Sequence, residues 1–397
     1  MTALLGTGLL TIALALLAYQ IAGARGGLVL GFALTLKMVA YVSVAPVANA
    51  LLGHLPRREL LVALDIVRTG VALMLPFVTE VWQIYVLIFV LQMASAAFTP
   101  TFQATIPDIL PDERTYTSAL SLSRLALDIE NLASPALAAL LLTFVPANAL
   151  FFGTAAGFLG SAALVWRADP PRAPARPAAS VWDRTSAGVR VFLATPRLKG
   201  LLALNFAAAA GGAMVIVNTA VVVGTLFAGS KSGVAVAMAA FGVGSMVAAL
   251  VLPRLLGALP DRLVMIAGAA GLSVSLIFGA VILALAPAFP AELWSTYLVW
   301  MAATGLAYSA ILTPTGRLLR RSADAAGRPA LFAAQFALSH LCWLVTYPLA
   351  GLLGAWAGMT TAAVLLGLLA ALATLGAKQV WPRALTDPLT PDEREPG

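Results

Sequence analysis

Long apolar runs alternate with short clusters of glycine, proline and charged residues from one end of the chain to the other. Cutting at those clusters gives segments at about 2–20, 28–52, 60–79, 82–104, 117–143 and 148–167. After a gap they continue at about 199–226, 233–256, 262–287, 291–312, 329–355 and 359–378. About twenty residues of helix cross the hydrocarbon core of a bilayer, so the pattern predicts an all-α polytopic membrane protein with twelve transmembrane helices. The runs are continuous rather than alternating, which excludes a β-barrel. Six segments precede and six follow 168–198, the longest polar stretch. The expected organisation is therefore a six-helix bundle over 1–167, a linker over 168–198, a second bundle over 199–378 and a tail over 379–397. Within the linker, Pro170, Pro171, Pro174 and Pro177 predict a semi-extended connector, with a surface helix around Val181 to Leu193.

The fifth segment breaks the pattern. It is long enough to cross a bilayer, yet it carries Arg124, Asp128, Glu130 and Asn131. Ionisable groups at membrane depth are costly and persist where they face a bundle interior, a partner or water. At about 100° per residue, Arg124, Asp128, Asn131 and Pro135 share a roughly 60° arc that should look inward. Glu130 lies about 100° or more off that arc, so a neighbouring helix or water must satisfy it. Two readings of Arg124 and Asp128 stand side by side: an (i, i+4) pair that only holds the helix in register, or a cavity-lining site for protons or a polar substrate.

Composition agrees with the pattern. Of the 397 residues, 61% are hydrophobic and 10% charged, far from the roughly 25% charged residues of soluble domains. The formal net charge of +7 reflects arginines scattered between spans, with no basic patch for nucleic acid. One face of the expected bundle receives Arg57, Arg58, Arg114, seven Lys and Arg from Arg167 to Lys199, Arg254, Arg262, Arg317, Arg320, Arg321, Arg328, Lys378, Arg383 and Arg394. The other receives Arg25 and Lys231. The positive-inside rule makes the first face, the linker and both termini cytoplasmic, in a bacterial-type inner membrane, and the Pro-, Asp- and Glu-rich tail after Val380 reads as a mobile end. The first run, Ala3 to Ala18, lacks a basic leader and reads as a span rather than a signal peptide, and its abrupt start leaves open a native start upstream. The single cysteine, Cys342, excludes an internal disulfide, and His54 and His340 are too far apart in sequence for a zinc motif. Neither a metal nor a cofactor is expected.

The two groups of spans echo each other. Leu52-Gly53-His54-Leu55-Pro56-Arg57-Arg58 is answered 204 residues later by Leu256-Gly257-Ala258-Leu259-Pro260-Asp261-Arg262. Thr99-Pro100-Thr101 recurs at Thr313-Pro314-Thr315, and Pro135-Ala136-Leu137-Ala138-Ala139-Leu140-Leu141 recurs, with one position unmatched at the end, as Pro348-Leu349-Ala350-Gly351-Leu352-Leu353. Three matches in the same order point to duplication, and parallel six-helix repeats are a transporter pattern with the binding site at the repeat interface.

With those residues in view the chain resembles the major facilitator superfamily along its whole length. Asn49 to Arg58, followed by Asp65 and Arg68, stands where that family has its cytoplasmic G-x-L-A-D-R-x-G-R-R loop and D-x-x-R, with Gly53 and His54 in place of the Asp-Arg pair. The resemblance implies a cytoplasmic gate built on Arg57, Arg58, Asp65 and Arg68, with Asp261 and Arg262 as the second-half counterpart. Ser134-Pro135-Ala136-Leu137-Ala138-Ala139 is similar to the fifth-span G-P-x-x-G-G of the proton-coupled drug and siderophore exporters. Gly6 to Gln20 is similar to the first span of that branch, with Thr7 where an acid often stands. The resemblance also implies a monomer.

Further candidates come from the polar residues within spans. Lys37 lies about nine residues into the second segment, where either a carboxylate partner, with Asp128 the best candidate, or snorkelling to the outer interface would satisfy it. Asp128 and Glu130 are the candidate proton carriers. In the eleventh segment Gln335, Ser339 and Cys342 form a polar stripe expected to face a cavity, beside His340 and Trp343. His340 reads either as a group titrating near neutral pH or as a buried neutral ring bonded to a backbone carbonyl. Gln92, Gln103, Asn205 and Asn218 are additional polar positions, and Trp300, Tyr308, Phe98 and Phe102 read as stacking or packing aromatics. The expected function is a proton-coupled exporter (antiporter) of a small organic compound working by alternating access. The alternatives are a proton-driven importer of a nutrient or metal chelate, and a non-transporting receptor or lipid-handling protein on the same scaffold. No nucleotide loop or repeated selectivity filter supports an ATP-driven pump or a channel, and nothing suggests an enzyme.

Overall fold

Backbone polar groups in lipid must be satisfied within the segment, so apolar runs this long fold as helices. The computed structural model describes residues 2–22, 26–168, 181–227 and 231–381, and among them no strand occurs. The first six spans are α1 (Thr2–Ala22), α2 (Gly26–Leu52), α3 (Arg57–Met74), α4 (Val81–Ile109), α5 (Glu113–Leu141) and α6 (Leu150–Ala168). A helix in the linker, α7 (Val181–Ala194), falls where a surface helix was expected. The second set is α8 (Pro196–Leu226), α9 (Lys231–Ala258), α10 (Asp261–Leu285), α11 (Pro290–Leu312), α13 (Arg328–Ala357) and α14 (Met359–Val380), with a short unexpected helix, α12 (Thr315–Arg320), extending α11. The prolines of the linker before α7 and the tail after Trp381 lie outside the described residues.

Among the described residues, eleven helices are apolar and long enough to cross a membrane. The twelfth span is α5, whose charges spoil its hydropathy but whose 29 residues make a rod of about 43 Å. Its start is set by chemistry rather than apolarity. The Asp112 carboxylate accepts hydrogen bonds from the Thr115 backbone N–H and hydroxyl, both at 2.7 Å, so the helix begins four residues before the apolar pattern does. Those bonds hold Asp112 below the usual carboxylate range.

The packing partners repeat. In the first set α1 packs on α2, α5 and α6, α3 on α4 and α6, and α2 on α4. In the second set α8 packs on α9, α13 and α14, α10 on α11 and α14, and α9 on α11. Each of these pairs maps onto its counterpart when α1–α6 are matched to α8–α11, α13 and α14, and in the second set α8 also packs on α10, and α13 on α14. The two main contacts between the sets, α2 on α13 and α5 on α9, also exchange under this matching. The fold is therefore two pseudo-symmetric six-helix bundles meeting along equivalent seams. Phe77, Phe144 and Trp356 are among the large apolar side chains left on the outer surface, where lipid is their natural solvent.

Small residues set the closest crossing. A Cβ on Gly244 of α9 would lie 1.8 Å from the Ala302 carbonyl oxygen of α11, and one on Gly305 of α11 would lie 1.9 Å from that of Phe241. Each backbone rests against the other, which only a residue without a side chain permits. At the arginine-bearing end, α7 packs on α2, α8 and α13 and buries Phe192 completely.

Candidate functional site

The charged face of α5 turns away from lipid and across the seam. Arg124 Nη2 lies 3.0 Å from Asp128 Oδ1, and the two side chains are only 13% and 3% exposed. Ser245 on α9 closes the group: Arg124 Nε donates to Ser245 Oγ at 3.0 Å, and Ser245 Oγ donates to Asp128 Oδ2 at 2.6 Å. The Arg124 guanidinium also rests over the Tyr308 ring of α11, 5.0 Å from its centre. The pair therefore joins the two bundles, beyond the register role open to an (i, i+4) pair. α5 continues as helix through Asn131 and Pro135, whose side chains lie outside the described residues.

Lys37 does not complete this group, contrary to the expected Lys37–Asp128 pairing. Asp128 is already engaged by Arg124 and Ser245, while the Lys37 ammonium lies 5.5 Å from the centre of the Tyr41 ring on its own helix. Tyr41 is one turn nearer the arginine-bearing end, so the lysine does not snorkel to the opposite interface. The acid that Lys37 acts on is Glu130. Among the described residues neither Lys37 nor Glu130 forms an ion pair within 4.0 Å or a side-chain hydrogen bond. Glu130 faces α1, as does Ser134 one turn on: a Cβ on Gly8 would meet the Ser134 hydroxyl at 2.0 Å and the Glu130 Cγ at 3.5 Å. The small residues of the exporter-like motif thus serve a close α1–α5 crossing.

Opposite Lys37, α13 supplies an aromatic wall. Tyr41 contacts Phe336 and His340, with ring centres 4.9 and 4.8 Å apart, and Ala45, Ala96 and Phe336 form an apolar contact between the bundles. His340 Nδ1 lies 2.7 Å from the Phe336 carbonyl, the backbone-bonded arrangement of the two considered. Ser339 Oγ donates to the same carbonyl at 3.0 Å, so the hydroxyl of the expected polar stripe is turned onto its own helix. Gln335 and Cys342 are buried, and Gln335 Oε1 has no hydrogen-bond partner among the described residues. Trp343 packs with Tyr347 and Tyr308 at 4.8 and 6.3 Å, next to Arg124. Gln92 is buried on α4. Trp300 is structural, its indole N–H donating to the Ser275 carbonyl at 2.6 Å, and Phe98 stacks on Phe102 beneath the Arg68 guanidinium.

At the arginine-bearing end the bundles are clasped twice. Asp108, at the end of α4, lies 2.5 Å from Arg57 of α3 and 2.5 Å from Arg328 at the start of α13. Arg321, following α12, lies 3.2 Å from Asp261 of α10 and pairs with Glu113 at the start of α5. These are one arrangement used twice. Arg57 and Asp261 are 204 residues apart, Asp108 and Arg321 are 213 apart, Glu113 and Arg328 are 215 apart, and every charge is reversed. Arg317 reinforces the second clasp, 2.8 Å from Glu113 and 3.2 Å from Asp261, and donates to Thr117 at 2.8 Å.

Of the residues expected from the loop motif to build a gate, Arg57 and Asp261 take part in the clasps. Asp65 and Arg68 instead pair with each other inside the first bundle, Arg68 lying between the Phe98 and Phe158 rings. Arg262 donates to the Trp381 and Lys378 carbonyls at the end of α14, and Arg58 lies over the Trp166 ring. The residues that sequence reasoning missed are Asp108, Glu113, Arg317, Arg321 and Arg328 in the clasps, Ser245 at the seam, and Tyr41 and Phe336 beside Lys37.

Comparison with known proteins adds the following. No curated protein matches the chain by sequence. Two of the solved structures similar in fold illustrate the likeness. One is the human organic anion transporter MFSD10 (TETRAN), 12% identical over 95% of this chain and 96% of that one, with a TM-score of 0.75. The other is the E. coli fucose:proton symporter FucP, 13% identical over 96% of each chain, with a TM-score of 0.70. A family model described as the Major Facilitator Superfamily matches residues 1–220. With more than half of the chain matched and the paired six-helix architecture in place, this multi-pass membrane protein belongs to the major facilitator superfamily and is a secondary transporter rather than an enzyme.

Proposed function

We propose that this transporter is proton-coupled, that Glu130 carries the proton, and that it exports a small organic compound by exchange. The arginine-bearing end faces the cytoplasm of a bacterial-type inner membrane under this reading, following the positive-inside rule. The observation that carries it is a mid-span carboxylate, Glu130, which among the described residues has no contact partner but feels the charge of Lys37 from another helix. A carboxylate there is costly when charged and is relieved by taking up a proton.

The clasps and the Arg124–Asp128–Ser245 group supply the alternation. The contacts between bundles described above lie between mid-span and the arginine-bearing end, which corresponds to a carrier closed toward the cytoplasm. Opening that end separates α5 from α9 and α2 from α13, so the clasps and the Ser245 bridge must break together. Protonation of Glu130 from outside removes its attraction for Lys37 and biases the bundles toward the other state. Release of the proton inside restores that attraction. The small-residue crossing of Ser134 on Gly8 supports the exporter assignment, through its likeness to the exporter motif.

The test is reconstituted protein in vesicles under an imposed proton gradient, with internal pH followed as candidate compounds are added. Wild type should move protons in the direction opposite to substrate, and Glu130→Gln should move substrate without protons. Coupled proton flux that survives Glu130→Gln would refute the assignment, and protein that binds compounds without moving them would point to the receptor reading. A second reading, uptake together with protons, is favoured by one observation: the group next to Glu130 is a cation, so protonating Glu130 leaves Lys37 free for an anion. The sign of proton movement separates the two.

A further inference from the structure

We propose that Lys37, with the Tyr41, Phe336 and His340 rings, forms the subsite that recognises a small organic anion bearing an apolar body. The proposal deepens the reading of this chain as a carrier whose central groups lie between α2, α5 and α13, and it does not depend on the direction of transport.

The starting point is the state of Lys37. An ammonium in the middle of a membrane span is costly and is retained where a partner, a cavity or a ligand meets it. The ordinary escape, stretching to the near interface, is not taken, because the ammonium lies over the Tyr41 ring. That ring contact offsets only part of the lost hydration. Of the two mid-span acids, Asp128 is engaged by Arg124 and Ser245. Glu130 is within electrostatic influence but beyond ion-pair distance. A structural lysine–glutamate pair would close to contact. With neither acid at ion-pair distance, Lys37 is left to recognise a third group, and that group must be negative.

Charge balance gives the same answer. Asp128 cancels Arg124, and Glu130 balances Lys37 only while it is ionised. With a proton on Glu130 the centre carries a single positive charge, which a monovalent carboxylate, sulfonate or phosphate monoester matches. The rest of the ligand is set by the surroundings. Tyr41 meets Phe336 and His340 across the seam with ring centres under 5 Å apart, and Phe336 and His340 are themselves 4.2 Å apart. These edges and faces suit a flat or branched apolar body. His340 Nδ1 lies against the Phe336 carbonyl, which fixes the ring as part of the wall. Because Lys37 is on α2 and the wall is largely on α13, one ligand touches both bundles, which a substrate must do to bias their equilibrium.

The experiment uses full-length purified protein in detergent and measures binding at neutral pH without any gradient. The probes are a panel of aliphatic and aromatic monocarboxylates and sulfonates, with size-matched quaternary ammonium ions as the opposite charge. At least one anion should bind wild type, with no matching cation binding as tightly. Lys37→Gln should weaken that anion tenfold or more, and Lys37→Arg should stay within about threefold of wild type. Tyr41→Leu should weaken aromatic anions more than short aliphatic ones. Glu130→Gln, which removes the competing negative charge, should bind the anion as tightly as wild type or more so. Retention of the expected elution volume by each variant separates loss of binding from loss of fold. The proposal is overturned if no anion of the panel binds, if the cations bind more tightly, or if Lys37→Gln binds the anion like wild type. Anion binding with intact Lys37 dependence but no proton movement in vesicles would leave this subsite standing and overturn only the proton coupling.

Discussion

Replacing Asp108 with asparagine should open the arginine-bearing end. Asp108 is 14% exposed and stands between Arg57 and Arg328, which are 4% and 18% exposed. The substitution keeps the shape but leaves two guanidinium groups facing each other without the charge that joins them. Exposed ion pairs contribute about 0–1 kcal/mol, and removing one partner of a fully buried pair costs about 3–5 kcal/mol. A partly buried triad falls between, at roughly 2 kcal/mol. Since the contact to Arg328 exists only while the bundles are closed here, most of that loss should appear as a shift of about thirtyfold toward the open state. The assay is the distance between spin labels on Glu59→Cys and Asp324→Cys at this end, in a Cys342→Ser background that removes the one native thiol. The distance distribution should move outward in Asp108→Asn. The triple change Arg57→Asp, Asp108→Arg and Arg328→Asp, which copies the acid–base–acid order of the other clasp, should return it. An unchanged distribution in Asp108→Asn, or a triple variant as open as the single one, would refute the reasoning.

Ser245→Ala should leave Asp128 Oδ2 without its 2.6 Å donor and disfavour the present conformation by roughly 1–3 kcal/mol. Faster hydrogen exchange in the middle of α9 would report it, and Ser245→Thr should behave like wild type. Gly244→Ala places a methyl group against the Ala302 carbonyl, an overpacking of about 1–3 kcal/mol that should lower the melting temperature by several degrees. Gly224→Ala, with nothing within 4 Å of its Cβ, should not. The Asp112 cap adds a pH dependence of known sign. Its folded value is depressed, so its contribution is complete above the unfolded aspartate value and is lost as pH falls through the folded one. Protection of the Thr115 amide, its intrinsic exchange rate divided by the observed rate at each pH, should therefore fall on acidification, and in Asp112→Ala it should already be low at neutral pH.

Much of the architecture was legible in the chain because a bilayer imposes a local rule: length and apolarity specify a span, and loop arginines punctuate the spans. That rule located all twelve crossings, including α5, where inward-facing charge had to be argued from helix periodicity. The duplicated loop and proline motifs announced two bundles, and the packing pairs agree. Contacts between bundles were harder. Lys37 was assigned to Asp128 because both were mid-span charges, but periodicity gives the face of one helix and not its rotation against another. Ser245 carried no signal, as a lone serine in an apolar run is ordinarily bonded to its own backbone. Asp108 and Glu113 sat in a turn whose arginine had been read for topology, which conceals what each charge touches. Helix α12 was missed because six residues bounded by Pro314 and Arg321 read as loop.

The sign reversal between the two clasps decides which half-molecules belong together. If two copies of the first half came together by the same geometry, Asp108 of one would meet Glu113 of the other, acid against acid. Two copies of the second half would bring Arg321 against Arg328, base against base. Only an unlike pair satisfies both ends, so two bundles of one architecture fit each other as a lock and its key and do not fit copies of themselves. Halves expressed separately with distinct tags should therefore co-purify as unlike pairs and not as like ones. During synthesis, the first half has an electrostatic reason to wait for its own second half rather than seize a neighbour's first.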